Sequence, residues 1–413
     1  MQHPPPKSHI HTNLISSRRS LRIAMVTEPY PLGLQGAAST VARIAEGLRL
    51  RDHTVQLVRP KQGPLDNPPR RAGQEDVLTP AISFLPYRLL RVGLPSRQAL
   101  AGLWTQRRPD LVHIATEGPL GWSALQAALA LKLPVCSDFR TDLHVQRRLP
   151  GAAWLQKPIM AYLRNFHNRC HCTMVSTEAL RRQLSAEGFS PLSVVARGVD
   201  TQRFSPRKRN PALRAQWGVG DTDVAALYVG GRAQGDDLEV LLQAFQHLRC
   251  KQPTARLVVL GDDLAHKALR ARCRQAIFGG HRTGDELAMW YASSDLLLLP
   301  GRTANRGDVL SEAMASGLAT VAFNSAGAGQ QITHQHNGLL ASRDDVSTFF
   351  RLSADLAHDT EMRRRLGAQA RERAHQHGWD GIVLRIEDLY AATMATANAT
   401  PRRRVWAQAR SVG

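Results

Sequence analysis

The sequence predicts two α/β domains in tandem, each a Rossmann-like, doubly wound parallel sheet covered by helices. Short β-rich runs alternate with amphipathic helical stretches along most of the chain. Glycine-rich loops follow several of these runs, which gives the strand, loop, helix, strand order of units that form parallel sheets. A basic segment at residues 197–214 interrupts the alternation, so we expect it to separate two sheets.

The N-terminal half begins the alternation. Residues 22–26 form its first β-rich run, residues 28–36 a loop with Pro and Gly, and residues 39–51 a helix with its apolar residues on one face. The next strand is expected at residues 53–58. Later strands are expected at residues 110–114, 134–137 and 172–176, with helices at 121–131 and 177–187.

The same alternation resumes in the C-terminal half. Its strands are expected at residues 224–229, 255–260, 276–278, 296–299 and 319–322, and its helices at 238–249, 262–274, 285–293, 310–316 and within 346–393. The predicted division is a disordered basic tail at 1–20, an N-terminal domain at 21–196, a linker at 197–214, a C-terminal domain at 215–378 and a basic tail at 396–413. Ligands of such sheets bind at the carboxyl ends of the strands, so the facing edges of the two domains form the expected cleft.

Length and composition exclude several classes of protein. The chain has 413 residues, 43% of them hydrophobic, which is enough for large cores and excludes disorder of the whole chain. A membrane span needs about 20 consecutive apolar residues, and the sequence has no such run. Five thinly spread cysteines do not suggest a disulfide framework and fit a reducing cytosol. The first 20 residues lack the apolar stretch of a secretory signal.

The net charge of +20 bears on partners rather than on fold. Seven of the 54 basic residues are lysine, and the arginine bias of a GC-rich genome is one interpretation of the charge, without a functional cause. The functional interpretation is an anionic partner, such as lipid headgroups or nucleotide phosphates. Nucleic acid is the least favoured partner, because the sequence has no zinc finger, RNA-binding aromatic motif or basic zipper.

Two glycine-containing loops could bring backbone or charge close to a ligand. Gly33 and Gly36 lie between the first strand and the first helix, where a helix start offers free N–H groups to an anion. A plain tight turn explains them as well. Gly230, Gly231 and Arg232 follow the first strand of the C-terminal half, and the arginine could hold a phosphate or lie solvated in a turn.

A third candidate lies in residues 300–317. Glu312 falls in an early turn of the helix there, where it could contact a ligand or complement the helix dipole, a contribution of about 0.3–1 kcal/mol. Cys170, His171 and Cys172 suggest a metal at first sight. A tetrahedral zinc site usually pairs two ligand clusters, and the sequence offers no second cluster, so no metal is expected.

In their order and spacing, these pieces resemble the retaining glycosyltransferases of family 4 (group 1), which have the GT-B fold. The resemblance is strongest to bacterial GDP-mannose-dependent alpha-mannosyltransferases that act on lipid or glycan acceptors. The matching segments are residues 22–36, 137–144 (SDFRTDLH), 197–204, 283–287, 291–295, 312–317 (EAMASG), 337–340 and 379–390. The resemblance implies that residues 379–395 form a helix that crosses back to the N-terminal domain.

The resemblance also implies roles for individual residues. Glu312 would hold the ribose of a nucleotide-sugar donor and Arg232 its diphosphate beside Gly230 and Gly231, while Asp308 or Asn305 could reach the sugar in place of a family glutamate that this sequence lacks. From the N-terminal domain, His144 and Arg140 would face the reacting sugar, with Gly33 and Gly36 allowing a close approach.

Three positions depart from the family pattern. Gly231 stands where the family has Arg, Asp236 where it has Lys, and Ala304 where it has a sugar-binding Glu. Loss of one charge-stabilising donor can cost about 10²–10³ in rate. Either the chain uses a rearranged site, or it is a degenerate homologue that acts as a binding or regulatory partner.

The sequence therefore predicts a cytoplasmic enzyme that moves a mannose-like hexose from a nucleotide sugar to a lipid or glycan acceptor with retention, without cofactor or metal. A basic N-terminal face could lie against anionic lipid on the inner face of the plasma membrane, at about 1 kcal/mol per basic residue. A solvated basic face is the alternative. The residues concerned are Arg88, Arg91, Arg97, Arg107, Arg108, Arg147 and Arg148.

Overall fold

Two parallel sheets, one in each half of the chain, organise the protein. The computed structural model describes residues 19–28, 37–63, 66–68, 72–83, 91–139, 156–230, 236–261, 267–301, 307–325 and 327–399. Every strand pairing within the two large sheets is parallel. The predicted fold class, two tandem Rossmann-like domains, is confirmed.

Within the described residues, the N-terminal sheet has seven strands. They are β1 (Arg22–Val26), β2 (Thr54–Pro60), β3 (Gln74–Thr79), β6 (Leu111–Ile114), β7 (Val135–Asp138), β8 (Cys172–Val175) and β9 (Leu192–Val194), in the spatial order β3-β2-β1-β6-β7-β8-β9. A small antiparallel hairpin, β4 (Ala81–Ser83) and β5 (Arg91–Gly93), stands apart from it. The helices are α1 (Ala37–Arg49), α2 (Arg97–Gln106), α3 (Pro119–Ala130), α4 (Gln156–His167) and α5 (Glu178–Ala186).

Alternation along β1 explains how the sheet buries both faces. Ile23 and Met25 point to the layer that contains α1, whereas Ala24 and Val26 point to the layer of α2 and α3. All four side chains are fully buried. A strand that is apolar at consecutive positions is typical of a parallel sheet covered on both sides.

The segment between the sheets belongs partly to the second domain. A short 3₁₀ turn (Pro206–Lys208) precedes α6 (Pro211–Gln216). Arg214 of α6 is buried and forms an ion pair with Asp295 at 2.8 Å. Helix α6 therefore spans residue 214, the predicted end of the linker, and is tied to the C-terminal sheet.

In the described part of the C-terminal half, the sheet has six strands in the order β12-β11-β10-β13-β14-β15. They are β10 (Ala225–Val229), β11 (Arg256–Leu260), β12 (Ile277–Gly280), β13 (Leu296–Leu299), β14 (Ala319–Phe323) and β15 (Leu339–Ala341). Its helices are α7 (Asp236–Lys251), α8 (Lys267–Arg272), α9 (Gly284–Ser293), α10 (Gly307–Ala315), α11 (Ala328–Gln331), α12 (Val346–His358) and α13 (Thr360–His375).

Both large sheets reverse their strand order once. The N-terminal sheet does so between β1 and β6, and the C-terminal sheet between β10 and β13. At such a switch point the two following helices leave on opposite faces, which opens a crevice at the carboxyl ends of the strands. We therefore expect ligands to bind at the two switch points.

The last helix, α14 (Trp379–Ala399), crosses back to the N-terminal domain. Its Ile382, Val383, Ile386 and Tyr390 share a buried cluster with the strands and α1 of that domain. Gly47 of α1 faces it so closely that an added Cβ would lie 2.5 Å from the Val383 side chain. The predicted crossing helix is confirmed, and among the described residues none of the helices combines the length and apolarity of a membrane span.

Candidate active site between the two sheets

The switch point of the C-terminal sheet is formed by the ends of β10 and β13. The N–H of Gly230 donates to the Leu260 carbonyl at 2.9 Å, which fixes the chain just past β10. Helices α7 and α10 then pack on opposite faces of the sheet. Residues 231–235 and 302–306, which connect the strands to these helices, lie outside the described residues.

Helix α10 brings Glu312 to this crevice. Fully buried Ala313 and Ala315 let the helix pack closely on the sheet. Burial raises the pKa of the Glu312 carboxyl to about 8; the negative charge of Asp308 also raises it, and a hydrogen bond with Tyr291 opposes the shift. Glu312 is the sixth residue of α10, past the first turn in which a helix dipole acts. A dipole role therefore does not account for it.

Arg197 reaches the same helix from the opposite side of the cleft. Its Nη1 lies 3.1 Å from Oδ1 of Asp308, in the first turn of α10. Arg197 follows β9 of the N-terminal sheet by three residues. The ion pair thus links the edge of one domain to the helix start of the other.

A cavity of about 310 Å³ lies beside this ion pair. Its walls come from both domains, because Ser176 and Thr177 follow β8 while Ser311 and Gln331 belong to α10 and α11. Arg197 lines it as well. The interdomain cleft is therefore polar along the face of α10 that carries Asp308 and Ser311.

The switch point of the N-terminal sheet is organised differently. Glu28, two residues past β1, is buried and its Oε1 accepts hydrogen bonds from the N–H groups of Leu120 (2.7 Å) and Gly121 (3.3 Å) at the start of α3. Burial raises the pKa of Glu28, and these backbone hydrogen bonds oppose the shift. A Cβ on Gly118 would collide with the carboxylate. The start of α3 is thus occupied by a side chain of the protein itself.

Further polar residues line the carboxyl edge of the N-terminal sheet. Glu117 lies 3.2 Å from Nε2 of buried His167, whose Nδ1 is 2.9 Å from the Ser137 hydroxyl. Asp138, at the end of β7, lies 3.3 Å from Nε2 of His113. A 2.6 Å hydrogen bond joins Nδ1 of His113 to the hydroxyl of Tyr390 in α14. The crossing helix α14 therefore contacts His113, which in turn lies against Asp138 at the end of β7.

The structure places part of the predicted site. Gly230 lies at the end of β10, and Glu312 and Asp308 lie one helical turn apart on α10. Outside the described residues lie Gly33, Gly36, Arg140, His144, Gly231, Arg232 and Ala304. Asp236 is the first residue of α7. The roles assigned to all of these residues stay predictions.

Sequence reasoning missed Arg197, Tyr291 and Glu28. Two of them had a positional signal: Arg197 directly precedes the G-V-D segment between the domains, and Glu28 follows the first strand at the edge where ligands bind. In the cysteine and histidine cluster near β8, Nδ1 of His171 accepts a hydrogen bond from the Val135 N–H, and Cys170 and Cys172 are buried.

Two family models match the chain and together span most of it. The model described as Glycosyltransferase Family 4 matches residues 34–203, and the model described as Glycosyl transferases group 1 matches residues 210–373. The chain belongs to the family 4 (group 1) glycosyltransferases. The first model covers every strand of the N-terminal sheet except β1, and the second covers the described strands of the C-terminal sheet, so the assignment agrees with the two-domain GT-B fold.

Relatives and solved structures extend over nearly the whole chain. A GDP-mannose-dependent alpha-mannosyltransferase of Mycobacterium tuberculosis is 29% identical, covering 90% of this chain and 97% of the relative. One of Corynebacterium glutamicum is 27% identical, covering 93% of this chain and 92% of the relative. The solved sucrose-phosphate synthase of Thermosynechococcus elongatus has the same fold, with a TM-score of 0.74 at 17% identity over 91% of this glycosyltransferase and 100% of that chain.

Proposed function

We propose that this glycosyltransferase transfers a mannose-like hexose from a nucleotide sugar, GDP-mannose, to a lipid or glycan acceptor with retention of configuration. The observation that carries the proposal is the position of Glu312, at the switch point of the C-terminal sheet and on a helix whose positive end faces the cleft. Two relatives named GDP-mannose-dependent alpha-mannosyltransferases support the identity of the donor.

The reaction asks for charge stabilisation rather than for a cofactor. The bond between the anomeric carbon and the β-phosphate oxygen breaks, and a bond from the acceptor hydroxyl oxygen to that carbon forms. The electron pair leaves with the nucleoside diphosphate, whose departing phosphate oxygen takes up the proton of the acceptor hydroxyl. Helix starts and cations placed where this negative charge develops accelerate such a step. In this proposal, the start of α10 lies at that place.

The acceptor enters from the N-terminal side of the cleft in this proposal. Because Glu28 already accepts the first N–H groups of α3, that helix start is closed to a second phosphate group. The basic face is the proposed contact with an anionic lipid surface. In its described part, Arg107 lies 2.5 Å from Glu75 and Arg108 donates to the Leu131 carbonyl at 2.9 Å. Vesicle flotation at low and high salt tests this contact, and no binding at low salt would remove it.

A thermal-shift screen tests the donor. GDP, UDP and ADP and their mannose, glucose and N-acetylglucosamine sugars are added in turn to the full chain. A ligand at a hundredfold excess over its Kd adds about 2.7 kcal/mol to the free energy of unfolding. We expect the largest shift with GDP and GDP-mannose, and a larger shift with UDP and UDP-glucose would overturn the choice of donor.

Transfer itself is tested with labelled GDP-mannose and a lipid or glycan extract. We expect label in the acceptor fraction, and loss of that label with Glu312→Ala. Binding without transfer or hydrolysis would favour the degenerate alternative. In that case the double variant Asp236→Lys, Ala304→Glu, which restores the family residues, should gain turnover.

A further inference from the structure

Arg197 combines a fixed backbone with a side chain that extends into the cleft. Its neighbour Gly198 packs so closely against Trp379 that an added Cβ would lie 2.7 Å from the indole ring. The N–H of Val199 donates to the His377 carbonyl at 3.1 Å, and Asp200 lies 2.7 Å from Nη2 of Arg43. The backbone that follows Arg197 is thus held by both α1 and the start of α14.

The side chain of Arg197 lies along the face of α10 on which the donor is expected. Asp308, Ser311 and Glu312 are spaced three and four residues apart, so they share one side of the helix. Arg197 pairs with the first of them and lines the same cavity as the second. The guanidinium therefore stands at the helix start, close to the carboxyl predicted to hold the ribose.

Without Arg197, the carboxyl groups of α10 would repel a diphosphate bound at the start of this helix. The described part of α10 carries two carboxyl groups one turn apart, Asp308 and Glu312; burial raises the pKa of Glu312, and the negative charge of Asp308 adds to the shift. A nucleoside diphosphate would add at least two negative charges. A guanidinium matches phosphate oxygens with two parallel N–H donors, and it stays charged at every relevant pH.

We propose that Arg197 is a donor-binding residue that holds the diphosphate of the nucleotide sugar, and that Asp308 keeps it in place until the donor arrives. The assignment rests on the proposed function. The ion pair is partly exposed, 34% for Arg197 and 46% for Asp308, and such pairs are weak. A diphosphate can therefore replace Asp308 as the partner of the guanidinium, which frees the carboxylate for the hydroxyl groups of the sugar.

Calorimetric titration of guanosine, GMP and GDP tests the assignment. The proteins are the wild-type chain and the variants Arg197→Ala, Arg197→Lys and Asp308→Asn. We expect Arg197→Ala to weaken GDP binding by about tenfold to a hundredfold, the range of one charge-assisted hydrogen bond, and guanosine binding by less than about twofold. The Kd of Arg197→Lys for GDP should lie between those of the wild type and Arg197→Ala. Asp308→Asn should tighten GDP binding, because it removes the competing carboxylate.

Arg203→Ala is the matched control. Arg203 lies in the same segment and is 39% exposed, but its carboxylate partner, Asp285 at 3.8 Å, belongs to α9. Its loss should leave the Kd for GDP within about twofold of the wild type. An equal loss for guanosine and GDP in Arg197→Ala would show a structural role and overturn the assignment, as would an unchanged Kd for GDP. Wild-type chain that binds none of GDP, UDP and ADP overturns the proposed function, and this assignment with it.

Discussion

The two sheets share one topology but use their switch points in opposite ways. In the N-terminal sheet, the carboxylate of Glu28 accepts from the first N–H groups of α3, so the helix start is satisfied within the protein. In the C-terminal sheet, α10 carries Asp308 and Glu312 at the cleft, and Asp308 is paired with Arg197 across it. We call the N-terminal switch point closed, because a carboxylate of the protein already accepts from its helix start. We call the C-terminal switch point open, because the ion pair at its helix start is weak and a ligand can replace it.

The difference shows that topology locates a crevice without deciding what it binds. Both crevices have the strand-order reversal that creates ligand sites in α/β proteins. An internal carboxylate at a helix start takes the place that a phosphate would otherwise occupy. We therefore expect the diphosphate to bind at the C-terminal switch point, and an acceptor with hydroxyl groups to bind at the N-terminal one.

Opening the closed switch point should have the largest effect on stability. Glu28→Ala leaves buried N–H groups of α3 without an acceptor, and we expect a loss of about 3 kcal/mol in the free energy of unfolding, measured in urea. The variant should also be stabilised by added phosphate more than the wild type is, because its helix start becomes an anion site.

Glu46→Ala is the control for this variant. Glu46 lies on α1 with about half of its side chain exposed, in an ion pair with Arg43, and its loss should cost less than about 0.5 kcal/mol. Equal stabilities of Glu28→Ala and the wild type would show that α3 does not depend on the internal carboxylate, and the contrast between the two switch points would then fail.

Disabling the open switch point should change binding rather than folding. Glu312→Ala removes the carboxyl predicted to hold the ribose, so the Kd for guanosine and for GDP should rise together by about 10- to 100-fold. This parallel loss distinguishes it from Arg197→Ala. The control is Glu361→Ala, an exposed glutamate at the start of α13. A Glu312→Ala protein with wild-type affinity for both ligands would remove Glu312 from the site.

The raised pKa of Glu312 predicts how nucleoside binding depends on pH. With a pKa of about 8, its carboxyl is mostly neutral at pH 7 in the free protein. If bound ribose hydroxyls donate to it, binding favours the ionised form and releases a proton. Affinity for guanosine should then rise with pH by up to about tenfold per unit below pH 8 and level off above it. Glu312→Gln should show a flat profile, and the same slope in both proteins would assign the titration to another group.

The sequence predicted the parts of this fold that depend on local pattern. β13 (Leu296–Leu299) was placed at its observed bounds, and β1 likewise, because short apolar runs between loops suffice to define buried parallel strands. The strand β3 was missed, since its sequence QEDVLT is polar and it lies half-buried at the edge of the sheet. A pattern of apolar residues cannot mark an edge strand of this kind.

The site was predicted less completely, because its contacts join distant parts of the chain. Glu28 and Leu120 are 92 residues apart, and Arg197 and Asp308 are 111 apart. No local pattern relates such pairs; they follow from the strand order and from the position of the two sheets relative to each other. Glu312 was found because it lies in a recognisable segment, whereas its raised pKa depends on burial that only the fold provides.

The smallest expected effect concerns the crossing helix, which contacts the closed side of the cleft. Tyr390→Phe leaves Nδ1 of buried His113 without the tyrosine hydroxyl, and we expect a loss of about 1–2 kcal/mol in the free energy of unfolding. Because His113 also lies 3.3 Å from Asp138, just before the segment that contains Arg140 and His144, acceptor KM should rise while the Kd for GDP stays constant.

The control is Tyr162→Phe, which removes a hydroxyl from a partly exposed tyrosine of α4. This variant should lose less than about 0.5 kcal/mol in the free energy of unfolding, since water replaces the lost contact. A change in the Kd for GDP in Tyr390→Phe would mean that the crossing helix acts on both switch points, and the two halves of the cleft would then not be independent.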